Sequence, residues 1–470
     1  MSRFAIARYL ADGQLDAEFG EGGITVVDWQ PEADQTAVSS FDIQVQADNS
    51  VLVAGGWGRS VGIALVGADG QVVNRPGMGE VKSIGTFMPD QSFARVRKVL
   101  IAQRVALADG GFGGQVTAAT DAGPGGAPKG SGSSRLKIVR ARVSSMLARM
   151  RALVRPGHRG GVTQSATPGG PAVLAVGDAG ENPAPRFAAF ARFRTDGTLD
   201  TAFSGDGQLM RGLGEDDIEV HTATYRRRDG KGLALARGDV NGLPMVRGVR
   251  VHQDGSSDQA FGLLADIWTS TDDGAWTLTP VDAASAGADT VVAAETFKRG
   301  VTGAAGVFKV SSSGAQVQGF GVDGGVGFIP HPDGISKVRA VSIDARSRIA
   351  VAGTLRGSFG VERFLPNGTV DTGFGQGGTV SVPFAGMTSA ANTVFLESVT
   401  SERLIVAGRA DGHFALARLA ENGETDLSFG AGGTVRTVVG QFGSEIEEVA
   451  VDGERRIVAV GRVAVSRPID

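Results

Sequence analysis

The chain has 470 residues, with 46 Lys and Arg against 50 Asp and Glu, 72 Gly, 17 Pro and no Cys. Without cysteine there is no disulfide framework, thiolate zinc site, cysteine-ligated iron–sulfur cluster or thiol nucleophile. A net charge of -4, with 20% charged and 41% apolar residues, suits a core-forming chain with no overall electrostatic reason to bind nucleic acid, and no run of 18 apolar residues could span a bilayer.

From the N-terminus, Met1 to Tyr9 lead within a dozen residues to Asp12, Asp16 and Glu18, which leaves no apolar run for a secretory signal. The chain as written is expected to carry none, with an upstream leader left open. Residues 4–9 alternate as a short strand, and a glycine-rich turn leads to further strands at 24–27, 41–45 and 51–53. The opening segment Phe4-Ala5-Ile6-Ala7-Arg8 returns near the end as Phe414-Ala415-Leu416-Ala417-Arg418, followed in both places by a turn, Asp, Phe-Gly and Gly-Gly. Aligned turn glycines are Gly13, Gly70, Gly197, Gly255, Gly314, Gly368 and Gly423, and Phe19, Phe203, Phe261, Phe320, Phe374 and Phe429 stand six residues after six of them.

Five of the six intervals between these glycines are nearly equal. The long one, from Gly70 to Gly197, reads as two periods with a degenerate copy near Gly123, its opening strand at 112–117. A β-branched closing run occurs eight times, at 51–55, 99–103, 173–177, 233–237, 291–295, 349–353, 404–408 and 457–461. Both markers predict eight units. A lone four-stranded antiparallel sheet cannot bury both its faces, so the units must stack, and a β-propeller is preferred over a parallel β-helix, whose rungs repeat every 20–30 residues or so. The expectation is one all-β domain over 1–470, a propeller of about eight four-stranded blades.

One stretch departs from this pattern. Residues 122–177 hold nine basic side chains and no acidic one, so the remainder carries -4 - 9 = -13. Val139, Val143, Met146, Met150 and Leu153 recur at helical spacing over 134–154, between Gly130 to Gly132 and Pro156-Gly157. A basic helical insertion at 124–170 within the third unit is expected. Three readings stand: packing on the protein's own surface, an out-of-frame stretch of a GC-rich gene, or a site for an anionic partner surface.

The string Phe-Ala-Leu-Ala-Arg, the Asn-Gly or Asp-Gly turn, Asp, Phe-Gly, Gly-Gly and Ile-Val-Ala-Gly resembles the bacterial delta-60 repeat family. That resemblance implies a β-propeller of unassigned function in an exported or surface-attached bacterial protein. A cytoplasmic setting is the alternative, and the family carries no catalytic residues to transfer.

Asp12, Asp69, Asp196, Asp254, Asn367 and Asn422 precede the turn glycine, and Asp16, Asp200, Asp258, Asp371 and Asp426 lie three residues after it. Such carboxylates could ring a calcium ion, but Asp or Asn before Gly is what a tight turn needs, and Asn367 and Asn422 remove charge. The five histidines, His158, His221, His252, His331 and His413, fall at unrelated positions of their units, which argues against a metal ring. No nucleophile elbow, Walker loop or His-Glu-x-x-His is present. No catalytic, cofactor-binding or metal-binding residue is therefore expected. The expected function is a non-enzymatic binding or structural module with a protein or glycan ligand, and the alternative is a hydrolase or lyase using carboxylates in the central funnel.

Overall fold

A computed structural model describes residues 2–27, 38–57, 60–75, 79–80, 83–87, 93–102, 172–181, 184–214, 218–226, 228–240, 243–269, 276–298, 301–322, 325–329, 334–397 and 402–464. These residues form strands and turns, with no helix among them. The expected basic helix and insertion at 124–170, and the expected strand at 112–117, lie outside them.

The strands make seven four-stranded antiparallel sheets and one short two-stranded pair, Asn74–Arg75 with Gly79–Glu80. From inner to outer strand, blade 1 is Val38–Val45, Val51–Trp57, Ser60–Val66 and Ser83–Thr86. Blade 2 is Phe93–Ala102, Ala172–Glu181, Ala184–Arg194 and Gln208–Gly212. Blade 3 is Ile218–Arg226, Lys231–Val240, Leu243–Val251 and Ala265–Thr269. Blade 4 is Trp276–Ala286, Asp289–Lys298, Val301–Val310 and Val326–Ile329. Blade 5 is Lys337–Ile343, Ile349–Leu355, Ser358–Phe364 and Thr379–Val382. Blade 6 is Ser389–Leu396, Leu404–Ala410, His413–Leu419 and Thr434–Thr437. Blade 7 takes its inner pair, Ser444–Val451 and Ile457–Ala464, from the C-terminal end and its outer pair, Ser2–Tyr9 and Ile24–Val27, from the N-terminal end. Ser2–Tyr9 pairs along its whole length with Ile457–Ala464. Each inner strand touches the next, from blade 1 round to blade 7 and back to blade 1, so the ring is closed.

The count is seven blades, not eight. The seven turn glycines count the blades correctly, and the error lies in splitting the step from Gly70 to Gly197 into two periods. That step holds one period plus an insertion between two strands that pair directly, Ala102 opposite Ala172. The run at 99–103 overlaps the inner strand of blade 2, and the run at 173–177 lies in the second strand of the same blade. Both markers agreed because a single insertion misled them in the same way.

Seven apolar clusters lie at the seams between neighbouring blades. The phenylalanine series fills six of them: Phe19, Phe203, Phe261, Phe320, Phe374 and Phe429 are all 3% exposed or less. In blade 1, where no phenylalanine follows Gly70, the buried Phe87 packs in the seam toward blade 2. Five seams add a polar clamp. Arg8, Arg192, Arg250, Arg363 and Arg418, each near the end of a third strand, pair with Asp16, Asp200, Asp258, Asp371 and Asp426. Each guanidinium also donates to a carbonyl of the next blade's turn, at Ala68, Gln253, Ser312, Glu421 and Ala11. In four of the five it lies 4.3 to 4.7 Å from the ring centroid of the phenylalanine three residues beyond the aspartate. Buried charge is tolerated here because each guanidinium has a carboxylate and a carbonyl as partners and four of the five also have a ring beneath them. At the equivalent positions blades 1 and 4 carry Leu65 and Lys309.

Candidate functional site

The recurring carboxylates are structural. Asp12, Asp69, Asp196, Asp254, Asn367 and Asn422 each accept the backbone N–H two residues on, at 2.9 to 3.1 Å, closing the turn. The second series does the same at 3.1 to 3.2 Å while its other oxygen holds the clamp arginine. In Asp258, burial opposes ionisation, but bonds from Lys231 and Arg250 outweigh it and pull the carboxyl down to about 2. Among the described residues no group of three His, Asp or Glu side chains could hold a metal ion.

The repeats diverge where the inner strands ring the axis. Every inner strand carries one register shift against its neighbour, and the residues passed over are Ser39, Arg97, His221, Val281, Arg339, Asn392 and Glu447. A bulge leaves one residue unpaired and re-aims the side chains beside it. In most of these strands the bulge shows in the sequence as two successive polar residues inside an apolar alternation, as in Arg97-Lys98, His221-Thr222, Asn392-Thr393 and Glu447-Glu448.

These strands bring a polar cluster to the axis. Lys98 Nζ of blade 2 reaches past blade 3 to Asp282 Oδ1 of blade 4 at 3.0 Å. Burial opposes the charge on Lys98, but Asp282, Glu448 and Asp42 overcome it and raise its pKa above the ordinary value. Asp282 Oδ2 also accepts the N–H of Val341 in blade 5 at 3.0 Å, and Asp42 accepts the N–H of Ile101 in blade 2. Glu448 Oε1 accepts the Thr393 hydroxyl of blade 6 at 2.8 Å. Burial, opposed by Lys98 and reinforced by Asp42, pushes the Glu448 carboxyl up to about 7. The side chains of Lys98 and Asp282 keep 24% and 16% exposure although strands surround them, so they line a channel that water enters.

Toward the N-terminal ends of the inner strands, Arg97 bridges Asp178 at 2.6 Å and Glu219 at 2.5 Å. Asp178, fully buried, also accepts the Val220 N–H at 2.6 Å and so ties blade 2 to blade 3. Burial, followed by Arg97, lowers His221 to about 4, which keeps it neutral near pH 7. In blade 7 Glu447 pairs with Arg462 of the adjacent strand at 2.9 Å. Burial raises its carboxyl to about 7, with Arg462 opposing, Glu445 reinforcing and Arg339 of blade 5 opposing.

A model described as "Domain of unknown function (DUF5122) beta-propeller" matches residues 2–19, the third strand, turn and phenylalanine of blade 7, and residues 403–429, the second and third strands, turn and phenylalanine of blade 6. The chain is a β-propeller repeat protein. No curated protein matches it. Among solved structures, a "putative 6-phosphogluconolactonase" from Bacteroides fragilis NCTC 9343 is 10% identical, with a TM-score of 0.38 over 90% of this chain and 93% of that one. Drosophila Semaphorin 1b, extracellular domains 1-2, is 9% identical, with a TM-score of 0.38 over 90% and 85%. Prolyl oligopeptidase B from Galerina marginata is 9% identical, with a TM-score of 0.33 over 82% and 40%. No helix among the described residues is long and apolar enough to cross a membrane.

The axial cluster escapes a reading that looks for the same residue in every unit, because each blade contributes a different one. Of the histidines, His221 sits at a bulge of the ring and His252 lies 3.8 Å from Asp258, while His413 is half-buried on the third strand of blade 6. His158 and His331 lie outside the described residues. Another side chain without counterpart is Glu362, fully buried in the third strand of blade 5 where the other units place Ala7, Ala64, Ala191, Val249, Phe308 and Ala417. It accepts the Ile335 N–H, and burial, opposed by that bond, raises its carboxyl to about 8.

Proposed function

We propose that the protein is a non-enzymatic binding module with a repeat of the delta-60 kind, taking a polar ligand through the N-terminal mouth of the axial channel. One observation carries this reading. Blades that are near copies in their clamps and turns carry unlike, charged or hydrogen-bonding residues where their inner strands meet the axis. A position that serves only packing has no cause to differ so much in charge between units with the same seam, whereas a site for an asymmetric ligand does. The setting we propose is the bacterial envelope or the extracellular space, supported by the resemblance of the repeat.

A panel of sugars, sugar acids, amines and short peptides tested by thermal melting should contain a compound that stabilises the chain but not the double variant Arg97→Ala/Arg339→Ala. Stabilisation that the double variant retains in full would place the ligand elsewhere. A second reading, a hydrolase or lyase, is favoured by the raised carboxyls of Glu447 and Glu448, which suit a general acid at neutral pH. Turnover of an ester, lactone or glycoside that Glu447→Gln or Glu448→Gln abolishes would replace the binding reading with that one.

A further inference from the structure

We propose that the channel mouth between blades 3 and 4 binds an organic monoanion, a carboxylate or a sulfate ester, between the Arg237 guanidinium and the His221 ring. The inference rests on the binding reading above and names the ligand class. Its first support is an interrupted pattern of contacts. At the mouth, bulge residues bond to the inner strand of the next blade: Arg97 of blade 2 to Glu219 of blade 3 at 2.5 Å, and Asn392 of blade 6 to Glu445 and the Ile446 carbonyl of blade 7 at 3.1 and 2.9 Å. Where those strands carry Glu219 and Glu445, two residues before their own bulges, blade 4 carries Thr279. Among the described residues no hydrogen bond reaches either nitrogen of the His221 ring.

The second support is an unmet donor. Arg237 stands opposite Glu219 in blade 3, just as Arg462 stands opposite Glu445 in blade 7. Arg462 bonds Glu445 at 2.7 Å, but Glu219 is held by Arg97 of the preceding blade, and Arg237 is left with Asp239 at 3.9 Å. Its Nε is buried without an acceptor, and a buried donor left unmet is costly. Leu233 and Leu235 pack in the seam between blades 3 and 4, so Arg237, next in the alternation, leaves its strand on that side. The side chain keeps 29% exposure, so a ligand reaches it from the mouth. Its charge acts on the His221 ring, as does that of Arg97, so the two open groups are neighbours. Two guanidinium groups beside one carboxylate that is already engaged repel a cation and lack one negative charge. An oxyanion supplies that charge and accepts from the guanidinium and the ring together.

Entry of the anion should bring a proton with it. In the free protein burial, Arg97 and Arg237 hold His221 at about 4 against the pull of Glu219, so the ring is neutral. A monoanion beside it favours the imidazolium, so the ring takes a proton from solvent as the ligand binds. The other groups around this place are Arg95 and Asp178 of blade 2, Asp239 of blade 3, and Thr279 and Glu295 of blade 4, where Glu295 stands opposite Thr279 as Arg237 stands opposite Glu219. Across the mouth are Arg339 of blade 5 and Glu445, Glu447 and Arg462 of blade 7. Removing Arg97 also acts here, because it frees Glu219 to pair with Arg237 and fill the place.

The test is calorimetric titration of the whole chain with sodium D-glucuronate and with glucose 6-sulfate, whose charges are constant over the range, and with D-glucose, at about pH 6 and about pH 5 in buffers of different ionisation heat. Glu447 and Glu448, raised to about 7, are already largely protonated there. The expected result is binding of a monoanion and not of glucose. An anion that lifts His221 by about two units tightens binding about fivefold from about pH 6 to about pH 5, with uptake of about 0.8 proton at the lower value. Arg237→Gln should bind about tenfold more weakly or worse, and His221→Gln should bind without the tightening. Melting curves of both variants establish that they fold. Monoanion binding no tighter than that of glucose, Arg237→Gln binding as well as the parent, or an unchanged pH response in His221→Gln would each overturn the proposal. A neutral or cationic ligand that is lost in Arg97→Ala/Arg339→Ala but indifferent to Arg237→Gln would overturn this inference alone and leave the binding-module reading standing.

Discussion

The seam between blades 5 and 6 offers a direct test of how the ring is held. Phe374 is fully buried there, with the Arg363 guanidinium 4.3 Å from its ring centroid and the turn glycine of the next blade, Gly423, close to the ring. Phe374→Ala should cost roughly 3–5 kcal/mol from lost burial and the residual cavity. Gly423 has φ +89, and a methyl group added there would come within 2.9 Å of the phenylalanine ring and of Gly375 N, and within 2.8 Å of Val380 Cγ2. Gly423→Ala should therefore cost about 1–2 kcal/mol in left-handed strain and about 1–3 kcal/mol in overpacking. The two changes should not add. With the ring gone, part of the overpacking is relieved, while the strain and the contact with Gly375 N persist. The double variant should thus be less destabilised than the sum of the singles by about 1 kcal/mol. Urea unfolding of the four proteins, monitored by tryptophan fluorescence and far-ultraviolet dichroism, gives the comparison. Additivity to within about 0.5 kcal/mol would refute the claim that the turn seats on the ring.

Further expectations concern protons, calcium and the insertion. Glu362 and Glu448 have folded pKa values above the ordinary glutamate value of about 4.3. The native state therefore holds protons that the unfolded chain gives up, and stability should be greatest near pH 4–5 or so and fall as pH rises through about 7 to 8. Glu362→Gln should remove on the order of 4–5 kcal/mol of that fall, and equal pH slopes for the two proteins would show that Glu362 does not titrate as described. Because both aspartate series are engaged by turns and clamp arginines, calcium should leave the melting temperature unchanged. Saturation at 100 times a dissociation constant would add roughly 2.7 kcal/mol, so a chelator-reversible rise would contradict this reading. Replacing residues 124–170 by a short glycine-serine link should leave cooperative melting intact, since Ala102 and Ala172 already pair across the hairpin that the segment interrupts. Loss of the transition in that deletion would make the segment part of the fold.

The sequence by itself determined the strands, the turns and the seam residues, because these depend on neighbours in the chain. Alternation at residues 4–9 or 414–419 puts one face of a strand into a seam, an Asp or Asn before glycine closes a turn, and the phenylalanine six residues later is buried wherever it occurs. The pattern also contained the clamp, in the recurring Arg, Asp and Phe, although a reading confined to turn chemistry assigned the aspartates only half of their role. Blade number and closure were decided by tertiary structure. Whether the stretch from Gly70 to Gly197 holds two units or one unit and an insertion depends on which strands pair, and Ala102 opposite Ala172 settles that from the two ends of the insertion. The sequence unit also begins two strands into a blade, so only pairing of Ser2–Tyr9 with Ile457–Ala464 shows that the ends complete blade 7. The axial cluster is least local of all. Lys98, Asp282, Thr393 and Glu448 come from four blades, each just after the bulge of its inner strand yet unlike in kind, and only the closing of the ring brings charges 184 residues apart to 3.0 Å.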